Sequence, residues 1–88
     1  MTLDRAFRLK TVAAELMLID TRGGIAHLDT VYRLSPAAAW LWNKAQETVF
    51  NEGDLVNWLC DEYDISRQQA SDDVHSLLQD WIKNGIAN

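Results

Sequence analysis

Thr30-Val31-Tyr32-Arg33-Leu34-Ser35-Pro36 is the stretch at which this chain of 88 residues changes character. Up to Leu34 the apolar residues stand in short runs of extended type, with Val31, Tyr32 and Leu34 carrying the weight of the last one. Ser35-Pro36 then reads as a helix start, because a serine hydroxyl can cap free amides and proline is tolerated at the first helical position. Strands are expected in front of this point and helices behind it.

Working back towards the N-terminus, residues 7–12 (Phe-Arg-Leu-Lys-Thr-Val) alternate apolar and polar with period two, as a half-buried strand does. Residues 14–19 form a denser apolar run that predicts a second, more buried strand. Asp20-Thr21-Arg22-Gly23-Gly24 breaks it with turn residues. The third strand is placed at about 30–34, which leaves 21–29 long for a tight hairpin.

Working forward, the first helix is expected over 35–48, with Ala38, Leu41, Trp42 and Ala45 on one stripe and Trp40 off it. Asn51-Glu52-Gly53-Asp54 is a polar turn whose asparagine caps a second helix over 52–63, striped by Leu55, Leu59 and Tyr63 with Val56 and Cys60 alongside. Ser66-Arg67-Gln68-Gln69 has the capping-box pattern. The third helix, 66–84, carries Ala70, Val74, Leu77, Leu78, Trp81 and Ile82, and Gly85 stops it. Three strands followed by three helices exclude a doubly wound sheet. The order predicts an α+β domain over 1–88, a small three-stranded antiparallel sheet followed by a three-helix bundle, winged helix-turn-helix-like.

A single core at this length buries only about 60 to 65% of the unfolded chain's surface, so a carved cleft would compete for the side chains that hold the fold. A shallow groove would not, and size therefore favours binding over catalysis. No apolar run approaches the ~20 residues of a membrane span, and Met1-Thr2-Leu3-Asp4-Arg5 lacks the basic flank and apolar stretch of a signal peptide, so a cytoplasmic location without membrane contact is expected. Cys60 stands alone, which rules out an internal disulfide and the usual zinc spacings.

The groups that carry chemistry are missing. His27 with Asp29 could orient an imidazole, but no nucleophile is tied to the pair. His75 follows Asp72 and Asp73, yet consecutive aspartates on a helix point to different faces, which spoils a metal cage. Gly23-Gly24 lacks the lysine and strand-to-helix setting of a phosphate loop. No enzyme activity, cofactor or metal site is expected.

The ordered set Tyr32-Arg33-Leu34-Ser35, Ala38-Ala39, Leu41-Trp42, Leu55, Leu59, Glu62-Tyr63-Asp64-Ile65, Asp73-Val74, Leu77-Leu78 and Gly85-Ile86 resembles the PqqD family. These are the small proteins named for pyrroloquinoline quinone (PQQ) biosynthesis, also known as the RiPP recognition element, and the resemblance runs from about Phe7 to Ile86. It implies a winged-helix-like fold. It also implies a peptide chaperone that captures the leader of a ribosomally made precursor peptide and presents the precursor to a modifying enzyme, often a radical SAM enzyme. The leader would add as a strand to the free edge of the third strand, so that main-chain hydrogen bonds give affinity and pockets give sequence choice. Carried onto this sequence, the peptide-binding residues would be Thr30, Val31, Tyr32, Arg33 and Leu34 on the strand, and Ala70, Asp73, Val74, Leu77 and Trp81 on the third helix. The family usually has Asn where this chain has Ser35, a change that keeps the cap. It usually has an Asp-Gly or Glu-Gly turn where Glu47-Thr48-Val49-Phe50 stands.

Two other readings compete. A winged helix can place its last helix in a DNA groove, but residues 34–88 hold three Lys/Arg against nine acids, and Asp72, Asp73 and Asp80 occupy the middle of that helix. Nucleic acid is therefore not an expected partner. A protein–protein adaptor without a peptide ligand would need the same scaffold. An open strand edge would also let two copies pair as a homodimer.

Overall fold

The computed structural model describes residues 1–21 and 31–88. Its elements are β1 (Phe7–Val12), β2 (Glu15–Asp20), β3 (Val31–Leu34), α1 (Pro36–Lys44), α2 (Glu52–Glu62) and α3 (Arg67–Lys83). The strands form one antiparallel sheet in the order β1-β2-β3. Three antiparallel strands followed by three helices is the architecture the sequence predicts.

Pairing of Leu9 with Leu18, and of Leu18 with Tyr32, puts these three side chains on one face, along with Phe7, Leu16 and Leu34. That face meets the helices, and Phe7 and Leu18 are fully buried in a core shared with Leu41, Phe50, Leu55, Val74, Leu78, Trp81 and Ile86. Arg8, Lys10, Met17, Ile19, Val31 and Arg33 fall on the opposite face.

β2 starts at Glu15, one residue later than the apolar run suggests. Val12 pairs with Glu15, so Ala13 and Ala14 make a two-residue turn, with φ of 51° and 68°. Both φ values are positive, as the tightest hairpin turn requires. α1 ends at Lys44, short of the expected 48, because Ala45 to Thr48 tighten into three-residue bonds: Gln46 N donates to Asn43 O (3.3 Å), Thr48 N donates to Ala45 O (3.3 Å), and Glu47 turns left-handed at φ 55°.

The caps fall where the sequence places them. The Ser35 hydroxyl accepts from Ala38 N (3.1 Å), and Asn51 and Asp54 form a reciprocal capping box. The Ser66 hydroxyl accepts from Gln69 N (3.1 Å), but the Gln69 side chain turns to Asp73, so only half of the expected box forms. Gly85, at φ 73°, closes α3: Ile86 N donates to Trp81 O (2.8 Å) and Gly85 N donates to Ile82 O (3.2 Å). This is a Schellman stop.

The two ends of the chain clasp each other, a feature the sequence does not announce. Leu3 bridges Ala87, Thr2 and Asn88 exchange backbone bonds of 2.8 and 2.9 Å, and Asp4 N donates to Ile86 O (2.8 Å). On the outside of the bundle Trp40 meets Tyr63 edge-on at 6.0 Å, and Lys44 Nζ lies 5.5 Å from the Trp40 ring and 5.6 Å from that of Trp58, which joins α1 to α2 by cation–π contact. No helix among the described residues is long and apolar enough to cross a membrane.

Candidate functional site

β3 has β2 on one side, and among the described residues no strand pairs with its other edge. Alternate residues of such an edge direct both N–H and C=O outward, which makes a template for a further strand. Tyr32 and Leu34 turn inward and fasten the strand to the core. Val31 and Arg33 turn to the other face, where the exposed Arg33 Nε lies 3.2 Å from Glu15 Oε2. Thr30 lies outside the described residues, as do His27, Asp29 and the Gly23-Gly24 pair. Beyond the C-terminal end of β3 a cavity of about 210 Å³ is lined by Ala14, Glu15, Leu16, Arg33, Leu34 and Pro36.

α3 has three distinct sides. Ala70 (0% exposed), Val74 (0%) and Trp81 (1%) are sealed in the core, and Trp81 Nε1 finds no acceptor among the described residues, so this indole serves as a hydrophobe. One flank joins α2: Arg67 Nη2 donates to Asn57 Oδ1 (2.5 Å), and His75 Nδ1 lies 3.1 Å from Glu52 Oε1. The other flank, which α2 leaves uncovered, carries Gln69, Asp73, Leu77 and Asp80 at spacings of four, four and three residues. Leu77 is half-buried and the other three are exposed.

The five helix residues picked out by the sequence thus divide. Ala70, Val74 and Trp81 shape the helix from within, while Asp73 and Leu77 present surface. Gln69 and Asp80 join them on that flank. Sequence reasoning passed over these two, although their spacing from Asp73 and Leu77 was the available signal.

Asp72 and Asp73 diverge as expected: Gln68 Nε2 donates to Asp72 Oδ1 (3.1 Å) and Gln69 Nε2 donates to Asp73 Oδ1 (2.8 Å), while His75 is turned to α2. No group of three or more His, Cys, Asp or Glu among the described residues could hold a metal. A strand edge to which no described strand is paired suits an extended peptide, which would hydrogen-bond to it through its backbone.

The family described as Coenzyme PQQ synthesis protein D (PqqD) matches residues 3–87. Among solved structures, TbiB1 in complex with the TbiA(beta) leader peptide superposes with a TM-score of 0.74 at 18% identity, over 100% of this chain and 95% of that one. Lasso peptide synthetase B1 complexed with the leader peptide gives a TM-score of 0.70 at 22% identity, over 98% and 94% of the two chains. At these identities the shared property is the fold. No curated protein sequence matches the chain.

Proposed function

The chain belongs to the PqqD family, and from that premise we propose that it is a non-catalytic peptide chaperone. It captures the leader of a ribosomally made precursor by adding it as a fourth strand along β3, and hands the precursor to a modifying enzyme, a radical SAM enzyme being the first candidate. The observation that carries the reading is the edge of β3 with which no strand pairs among the described residues, held in place by Tyr32 and Leu34. Two structures of the same fold, each complexed with a leader peptide, support it.

In this reading Thr30, Val31, Tyr32, Arg33 and Leu34 supply the backbone edge. Asp73 and Leu77, with Gln69 and Asp80 beside them, supply the helix wall. Ala70, Val74 and Trp81 hold that wall in place from the core. The reading favours a peptide over groove DNA because the exposed surface of α3 carries Asp72, Asp73 and Asp80, and Arg67 is engaged by Asn57.

The test is the affinity of the leader of a short precursor encoded beside the gene, measured by calorimetry for the native chain and for Leu77→Asp. Leu77 is only half-buried, so the variant is expected to fold, and its affinity should fall at least about tenfold through a buried or repelled charge at the groove. Equal affinity of the two proteins would remove the α3 flank from the site.

A further inference from the structure

The uncovered flank of α3 bears on which leaders the edge can accept. Resting on the strand-addition reading above, the relevant fact is that Asp73, Leu77 and Asp80 follow one another there as acidic, apolar, acidic. Neither carboxylate is neutralised. Asp73 Oδ1 accepts from the uncharged Gln69 amide at 2.8 Å, the Asp80 backbone carbonyl accepts from Asn84 Nδ2 (2.8 Å) and Asn84 N (3.0 Å), and no cation among the described residues pairs with either carboxylate. Arg67 belongs to the α2 side, where Asn57 engages it. The negative charge of residues 34–88 adds to the local field.

The spacing fits a strand. At 1.5 Å per residue, Leu77 and Asp80 lie about 6 and about 10.5 Å along the helix from Asp73. Side chains on one face of a strand recur every ~6.7 Å. Long Lys or Arg stems take up the difference at the second aspartate.

We propose that the captured segment has the pattern cation–x–apolar–x–cation on the face turned towards α3, with Lys or Arg opposite Asp73 and Asp80 and the apolar residue on Leu77. Exposed ion pairs are individually weak. Two of them give a preference of roughly fivefold to twentyfold over the uncharged peptide, falling as salt rises. Together they fix the register of a strand whose backbone bonds would otherwise permit slippage.

The experiment is selection of a randomised 12-residue displayed library on the intact protein and on its Asp73→Lys/Asp80→Lys and Asp73→Asn/Asp80→Asn variants. Circular dichroism would check that all three are folded, and amide shifts at Val31–Leu34 would locate the selected peptides. The inference expects Lys or Arg enriched two residues either side of an apolar residue on the native protein, no charge preference on the Asn variant, and Asp or Glu enriched on the Lys variant. Peptides that shift the β3 amides but show no charge preference, or the same preference on all three proteins, overturn the inference and leave strand addition standing. A library that yields no peptide shifting those amides overturns strand addition itself.

Discussion

The Tyr32 ring, on the edge strand, lies 6.0 Å from the Phe7 ring on the far strand β1, tilted by 50° across the intervening β2. Phe7 is fully buried, so this contact ties the free edge of the sheet to the middle of the core. The four-residue strand has one strand partner among the described residues, and Leu34 and the start of α1 are its other anchors. With Leu34, the contact holds the edge strand against the core.

Replacing that ring gives the first expected outcome. Tyr32→Ala should lower stability by about 2 kcal/mol, less than for a fully buried aromatic because Tyr32 is half-buried. It should also weaken peptide binding by about tenfold, since the ligand must then order the edge itself. Tyr32→Phe keeps the ring and should leave both nearly unchanged. Urea unfolding and calorimetry separate the two effects, and a Tyr32→Ala protein with native affinity would show that the edge is ordered by other means.

The β1–β2 turn stores strain. Ala13 and Ala14 sit at φ 51° and 68°, where a Cβ is disfavoured and where Asn-Gly is the preferred pair. The double substitution Ala13→Asn, Ala14→Gly should raise stability by about 1 to 2 kcal/mol, read as a higher urea midpoint at unchanged slope. An unchanged or lower midpoint would show that the turn relaxes in solution.

The end of α3 predicts the opposite sign. Gly85 takes φ 73° in the turn that brings Ile86 back to Trp81 O and into the core. Gly85→Ala should cost about 1 kcal/mol, and Ile86→Ala about 2 to 4 kcal/mol because a fully buried side chain is lost. Thermal unfolding would check both. An Ile86→Ala protein as stable as the native chain would show that the Ile86 side chain adds nothing to the core.

The open edge predicts competition. If two copies pair through β3, they occupy the edge that a leader needs, so added peptide should dissolve the dimer. Sedimentation at several protein concentrations, with and without peptide, measures it. A dimer fraction insensitive to saturating peptide would place the self-contact elsewhere.

The architecture was legible because its signals are local. Ser35-Pro36 marks the switch from strand to helix, Asn51 and Ser66 cap the next two helices, and Gly85 ends the last. The misplaced boundaries share one cause. Ala13, Ala14 and Glu47 adopt positive φ without being glycine, so nothing in their identity announces a turn or a helix stop. The clasp of Leu3 with Ala87 is pure backbone pairing between distant segments, and its side chains show no pattern.

The candidate site was legible in part for a different reason. Strand order and family resemblance point to β3 and α3, but one apolar stripe on α3 must serve the core. Which residues stay outside is decided by where α2 packs, through Arg67 with Asn57 and His75 with Glu52. Those contacts separate Asp73 and Leu77 from Ala70, Val74 and Trp81, a division that hydrophobic periodicity does not make.

The central claim is that a leader adds as a strand to β3, and a backbone amide NMR titration of the intact domain with the leader of an adjacent precursor gene tests it most directly. The account predicts shifts and slowed amide exchange concentrated at Val31–Leu34 and along the Gln69–Asp80 flank of α3, with the β1 amides nearly still. Binding without shifts at β3, or no shifts at millimolar peptide, would contradict it.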